Sequence, residues 1–208
     1  MIKGQKPTVF VVDDDAGVRD SLRLLLKSVG LPVEVFESAQ DFLDAERDDR
    51  PGCLVLDIRM PGMSGLELQV KLNGRHSILP IIFITGHGDV PMAVEAMQAG
   101  AVDFIQKPFR DQDLLDRINQ ALEKDAGSRR MLAERNMIRK RLESLTPRER
   151  EVLDLVVAGK ANKVIAGDLN LSQRTVEIHR ARVMEKMEAH SLAHLVRKVL
   201  EVERPEEQ

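Results

Sequence analysis

At 208 residues, with 43% apolar and 31% charged side chains, the chain has the composition of a soluble globular protein of two small domains, not of a disordered or fibrous one. No apolar run approaches the roughly 18 residues of a membrane span, and the basic start at residues 1–7 leads into a short run closed by three aspartates, which is too brief and too acidic for a signal peptide, so a reducing cytoplasm is expected. The net charge of -3 conceals an asymmetry: residues 1–124 hold 14 Lys and Arg against 20 Asp and Glu, whereas residues 125–208 hold 17 against 14, so only the second part suits a polyanion.

The first apolar run, residues 8–12, ends in Asp13-Asp14-Asp15. Further short, β-branched runs at 33–36, 53–58, 80–84 and 102–105 alternate with segments of helical spacing. Val18, Leu22, Leu25, Leu26 and Val29 form one helical stripe, and Leu114, Leu115, Ile118, Ala121 and Leu122 form another. Ser38 and Asp111 suit the starts of the second and fifth helices, and the fourth is expected at residues 91–99. Gly30 and Gly100 sit where helix ends take a left-handed residue, and Pro32 bars continuation of the first helix. Five strand-helix repeats predict an α/β fold, a doubly wound five-stranded parallel sheet over residues 1–124. Cys53, the only cysteine, cannot form an internal disulfide and is expected as a buried, inert thiol.

Residues 125–143 are charged, with a weak break at Gly127-Ser128, and predict a helical linker. Met131, Ile138, Leu142 and Leu145 share one stripe, which leaves open a short coiled-coil seam between two copies, though two heptads are fewer than the three or four that define one. From residue 144 to 208 the period is helical alone, predicting a small all-α domain. Thr146-Pro147-Arg148-Glu149 is a capping box with proline at the first helical position, and this helix stops at Gly159. A short helix at 162–168 and a longer one at 173–187 flank Leu169-Asn170-Leu171-Ser172, where Asn170 takes the left-handed conformation and Ser172 caps. Ser191 caps a last helix with an apolar face of Leu192, Leu195, Val196, Val199 and Leu200, and residues 201–208 are expected to fray.

Four strand ends offer chemistry to one crevice, where ligands of open parallel sheets bind. Asp13, Asp14 and Asp57 would repel one another if ionised and unpaired, and a hard divalent cation, Mg2+, relieves that strain. Lys107 adds a fixed positive charge and Thr85 a hydroxyl, a set suited to phosphoryl transfer. In this order Asp13-Asp14, Asp57, Thr85 and Lys107-Pro108 resemble the receiver domain of bacterial two-component response regulators, over residues 7–124.

That resemblance implies a flavodoxin-like sheet with Asp57 as phospho-acceptor, assisted by Lys107 and Thr85. It also implies Mg2+ held by Asp13, Asp14, Asp57 and the Arg59 carbonyl, a cis Lys107-Pro108 peptide, and Thr85 with Phe104 as a switch pair. Phosphoryl oxygens on Asp57 would draw Thr85 inward and vacate space for the Phe104 ring, altering the surface of the fourth helix, fifth strand and fifth helix. Haloacid-dehalogenase-like phosphatases also use a strand-end aspartate, but they want a second acid two residues on, where this chain has Arg59. Neither a P-loop nor a GxGxxG is present, so nucleotide binding has no support.

Leu145-Thr-Pro-Arg-Glu-Arg-Glu-Val-Leu153, Asn162-Lys-Val-Ile-Ala166 and Leu171-Ser-Gln-Arg-Thr-Val-Glu-Ile-His179 resemble the LuxR-type helix-turn-helix domains of the NarL/FixJ group, over residues 144–200. Family members often have lysine where Glu177 stands and Ser or Thr at Ala161. On the expected recognition helix Gln173, Arg174, Glu177, Ile178 and Ala181 lie near one face: Arg174 suits guanine, Glu177 cytosine N4 and Ile178 a thymine methyl. Lys160, Asn162, Lys163, Thr175, His179, Arg180, Arg182 and Lys186 are phosphate candidates. With neither Tyr nor Trp in the chain, a base-stacking single-strand binder is disfavoured.

The two resemblances together imply a transcription regulator: a sensor histidine kinase donates to Asp57, and a homodimer then binds double-stranded operator DNA and acts on RNA polymerase. Two alternatives are an unphosphorylated interaction module fused to a DNA binder, and an enzyme with turnover.

Overall fold

Five short strands pair into one parallel sheet in the order β2-β1-β3-β4-β5: β1 (Thr8–Val12), β2 (Val33–Phe36), β3 (Gly52–Asp57), β4 (Ile81–Thr85) and β5 (Asp103–Gln106). The expected doubly wound sheet is therefore present. The structure, a computed structural model, describes residues 6–45, 50–86 and 90–203. All six residues of β3 are buried, as a central strand with both faces covered requires, which is why it is an unbroken apolar run. The register aligns Val12 with Leu56, Asp57 with Ile84 and Thr85 with Gln106, so the carboxyl ends of β1, β3, β4 and β5 come level.

Alternate residues of the strands face opposite layers. Phe10, Val12, Leu54, Leu56 and Phe83 pack against α2 (Ala39–Ala45), α3 (Gly65–Gly74) and α4 (Val90–Gln98). Val9, Val11, Val55, Ile82 and Ile84 pack on the other face against α1 (Ala16–Ser28) and α5 (Asp111–Glu143). Ser38 accepts the Asp41 N–H at the start of α2, and Gly30 and Gly100 have positive φ after α1 and α4.

The fifth helix departs from expectation at its far end. It continues past Lys124 to Glu143 with no break at Gly127-Ser128. Asp125, almost fully buried, accepts the Gly52 N–H at 2.9 Å and the Arg129 Nε–H at 2.9 Å, while Arg129 Nη2 donates to the Arg50 carbonyl at 2.5 Å. These charge-assisted bonds offset the roughly 1 kcal/mol that a mid-helix glycine costs. Gly52 is required at this corner, because a Cβ there would lie 1.9 Å from the Thr8 carbonyl oxygen.

The chain divides into two compact units, Met1–Arg129 and Arg130–Gln208. The second is all helical: the end of α5, α6 (Pro147–Val157), α7 (Asn162–Asp168), α8 (Gln173–Lys186) and α9 (Leu192–Glu203). The capping box of Thr146 and Glu149, the left-handed Asn170 and the caps Ser172 and Ser191 all occur. Val152, Val156, Ile165, Val176, Val183, Met187, Leu195 and Val199 form its core together with Ile138 and Leu142. The alternative of a coiled-coil seam is thereby corrected: Ile138 and Leu142 are spent inside this core, and Met131 alone of that stripe stands exposed. Residues 201–203, at the start of the stretch expected to fray, continue α9; residues 204–208 and the basic start at 1–5 lie outside the described residues.

Candidate functional site

The acidic site grows from the ends of three strands. Asp13 follows β1, Asp57 ends β3 and Lys107 follows β5, and the lysine Nζ donates to Asp13 Oδ2 at 2.9 Å and to Asp57 Oδ1 at 2.8 Å. Asp57 Oδ2 accepts the Arg59 N–H at 2.8 Å, so both carboxylate oxygens are aimed. Burial pushes the Asp57 carboxyl above its ordinary value, against the opposing pull of the hydrogen bond and charge of Lys107. Burial alone would lower the Lys107 ammonium, but its hydrogen bonds to Asp57 and Asp13 outweigh this and leave it raised.

The loop geometry holds these groups in place. Asp13 Oδ1 accepts the Asp15 N–H at 2.9 Å, and Asp15 caps α1 by accepting from Gly17 and Val18. Beyond β3, Met60-Pro-Gly-Met63 turns the chain so that Gly65 N–H donates to Ile58 O at 2.9 Å, and α3 starts at a capping box of Ser64 and Glu67. Only glycine fits at position 65, where a Cβ would lie 2.3 Å from the Asp57 carbonyl oxygen. The Lys107-Pro108 peptide is cis, and the Lys107 N–H donates to Thr85 O at 2.7 Å.

The remaining expected residues fall as follows. Thr85 is buried, its Oγ1 donating to Gly86 O at 3.1 Å. Phe104 is 38% exposed on the outer strand β5, so it is not a core aromatic. Asp14 is exposed beside buried Asp13. Among the described residues no three His, Cys, Asp or Glu converge on a metal position; two carboxylates do converge, on the lysine Nζ. Cys53 is buried and its thiol is pushed up to about 12, by burial first and the Asp125 charge second, which makes it inert.

In the second unit α8 presents Gln173, Arg174, Glu177, Ile178, Ala181 and Arg182 to solvent, while Val176 and Val183 are buried. Ile178 is 47% exposed on the face it shares with Arg174, Glu177 and Arg182. Lys163 is exposed. Lys160 pairs with Asp168 at 2.7 Å, Arg180 Nη1 donates to Asn162 Oδ1, and Thr175 Oγ1 bonds Ser172 Oγ at 2.8 Å. His179 is half-buried, with Nδ1 enclosed and unpartnered among the described residues.

Lys186 stands apart from this face. Its Nζ donates to Glu149 Oε2 at 2.6 Å and to Ser144 O at 3.1 Å, a part-buried ion pair in which the lysine side chain stays 35% exposed. Lys186 and the Thr146 N–H together hold the Glu149 carboxyl down at about 2. Glu149 was legible as a cap but not as an ion-pair partner. Arg19, whose Nη1 donates to Asp13 O at 2.7 Å, carried no sequence signal beyond its place one turn into α1.

Comparison with known proteins gives the same two parts. Residues 9–119 match the model of the response regulator receiver domain, and residues 143–199 match that of bacterial regulatory proteins of the luxR family. The chain is 53% identical over 193 residues to the transcriptional regulatory protein FixJ of Rhizobium meliloti, covering 93% of this chain and 95% of that one. It is 50% identical over 192 residues to nodulation protein W of Bradyrhizobium diazoefficiens, covering 92% and 85%. The solved structure of the response regulator StyR is similar with a TM-score of 0.86 at 50% identity, over 94% of this chain and 98% of that chain. Full-length FixJ from B. japonicum gives 0.60 at 46%, over 96% and 98%.

Proposed function

Because the chain belongs to the response regulators that join a receiver domain to a LuxR-type DNA-binding domain and act as transcriptional regulators, we propose that Asp57 accepts a phosphoryl group from a sensor histidine kinase. The observation that carries this reading is the Lys107 ammonium bridging Asp13 and Asp57 at the level ends of three strands. An Asp57 carboxylate oxygen attacks the phosphorus of the donor phosphohistidine. The new O–P bond forms as the N–P bond breaks, and the imidazole leaves with its electron pair. Lys107, already 2.8 Å from the nucleophile, moves its contact to an equatorial phosphoryl oxygen.

The donor set fits Mg2+, which commonly takes one or two carboxylates together with phosphate oxygens and water. Asp13 and Asp57 supply hard oxygens, with Asp14 and the Arg59 carbonyl as their neighbours in the site. The cation, when bound, neutralises charge on the phosphoryl oxygens. Thr85 then turns its hydroxyl from Gly86 O toward the phosphoryl group, and the exposed Phe104 ring moves into the space released.

DNA binding belongs to the second unit. Gln173, Arg174, Glu177, Ile178 and Ala181 of α8 meet base edges, and Lys163, Thr175, His179, Arg180, Arg182 and Asn162 approach phosphates. Lys160 contributes through its exposed ammonium, while Lys186 is a structural ion-pair residue. The phosphorylated chain acts as a homodimer on a two-fold operator and on RNA polymerase, in the cytoplasm; among the described residues no helix is long and apolar enough to cross a membrane. Incubation with acetyl phosphate and Mg2+ should add one phosphoryl group per chain by intact mass, and none to Asp57→Asn; equal labelling of the variant refutes the acceptor assignment.

A further inference from the structure

The stretch between Asp13 and α1 is held at both ends. Asp13 N–H donates to Phe36 O at 3.3 Å, and Asp15 N–H donates to Asp13 Oδ1 at 2.9 Å. The peptide between Asp13 and Asp14 has its own tether: the Asp13 carbonyl oxygen accepts Arg19 Nη1 at 2.7 Å. The other guanidinium nitrogen, Nη2, lies 4.0 Å from Glu37 Oε2, just beyond β2, and the Arg19 side chain is only 16% exposed. Arg19 therefore ties the first turn of α1 to the ends of two strands, and Glu37 balances its charge. A peptide is planar, so fixing the orientation of its carbonyl also fixes the direction of its N–H and the Cα of the next residue. That next residue is Asp14, whose side chain is exposed.

We propose that Arg19 is a positioning residue of the acidic site, orienting the Asp14 carboxylate toward a divalent cation by holding the Asp13 carbonyl. The proposal rests on the reading of Asp13 and Asp14 as cation ligands. A lone cation one shell from a metal position opposes binding by charge, so the benefit of Arg19 is geometric, and the Glu37 pair limits the electrostatic cost. A planar guanidinium with two separated donors can hold the carbonyl and face the carboxylate together, whereas an ammonium holds one partner well.

The test uses the full chain and Mn2+ alone, with free Mn2+ followed by electron paramagnetic resonance. Wild type should bind one Mn2+ per chain. Arg19→Gln should bind about tenfold more weakly, the cost of a misplaced supporting group at a metal site, and Arg19→Lys should fall between the two. Far-UV circular dichroism melts accompany each variant, and Arg19→Lys carries the comparison if Arg19→Gln does not fold. Glu37→Gln, which leaves the grip on Asp13 intact, should bind Mn2+ within a factor of about two of wild type.

The decisive arm is a double-mutant cycle with Asp14→Asn. If Arg19 acts through Asp14, adding Arg19→Gln to Asp14→Asn weakens binding little further. Equal affinities of wild type, Arg19→Gln and Arg19→Lys overturn the proposal, as do single effects that multiply in the double variant. A wild-type chain that binds no Mn2+ overturns the cation reading itself and the role of Arg19 with it.

Discussion

Replacing Glu149 by Gln tests whether the part-buried ion pair with Lys186 holds the second unit together. The carboxylate side chain is 3% exposed and accepts Lys186 Nζ at 2.6 Å and Thr146 N–H at 2.9 Å. Its carboxyl sits at about 2 against an ordinary 4.5, with the Lys186 hydrogen bond the largest cause. Because the folded value lies below the unfolded one, the stabilisation is present above pH 4.5 and is lost as pH falls from there to about 2. Fully realised, such a shift is worth about 3 kcal/mol; Lys186 is partly exposed, and solvent screening brings the figure to about 2 kcal/mol. In a helical unit of this size that lowers the midpoint of thermal unfolding by roughly 8–16 °C at pH 7.

The assay is urea unfolding of the full chain by circular dichroism from pH 7 to pH 2, since there is neither Trp nor Tyr to report fluorescence. Glu149→Gln should lose about 2 kcal/mol at pH 7, and the gap from wild type should close toward pH 2. Lys186→Met should lose a similar amount, with little further loss in the double variant. A Glu149→Gln chain within about 0.5 kcal/mol of wild type at pH 7, or two pH profiles that stay parallel, refutes the reasoning.

Asp57→Asn should abolish phosphoryl uptake and leave the chain no less stable at pH 7. Burial raises the folded carboxyl, so the penalty on its ionised form sets in as pH rises past the ordinary 3.8 and is fully present at neutrality; a denaturant melt checks the sign. Lys107→Met, which removes the ammonium shared by two carboxylates, should slow uptake from acetyl phosphate by roughly a hundredfold, measured by intact mass over time. Gly65→Ala should cost about 3 kcal/mol or more in the first unit, since its Cβ would meet the Asp57 carbonyl oxygen at 2.3 Å. On a bound duplex Arg174→Ala should cost about 1–3 kcal/mol and relax the preference at one base pair, whereas Lys163→Ala should lower the salt slope by about 1 with little change in preference.

The sheet and the acidic site were legible because each strand is a short apolar run whose last residue begins a loop, so the chemistry stands beside the pattern that places it. The helix caps were legible for the same local reason: Thr146 and Glu149 are three residues apart, and Asn170 sits within its own turn. What escaped the sequence is set by distant partners. Asp125 looks like a solvated linker charge until Gly52, 73 positions away, supplies the N–H that buries it. The ion pair of Lys186 likewise depends on Glu149, 37 positions away. The outward Phe104 ring follows from the edge position of β5, and strand order is not written in any one segment.

The central claim is that a phosphoryl group on Asp57 changes the grip of α8 on DNA. Its most direct test is the affinity of the full chain for a duplex selected from a random pool, measured with and without beryllofluoride and Mg2+, for wild type and Asp57→Asn. Beryllofluoride should tighten wild-type binding at least about tenfold, the lower part of the usual allosteric range, and leave Asp57→Asn unchanged. Equal affinity of the wild-type chain in both conditions contradicts the claim.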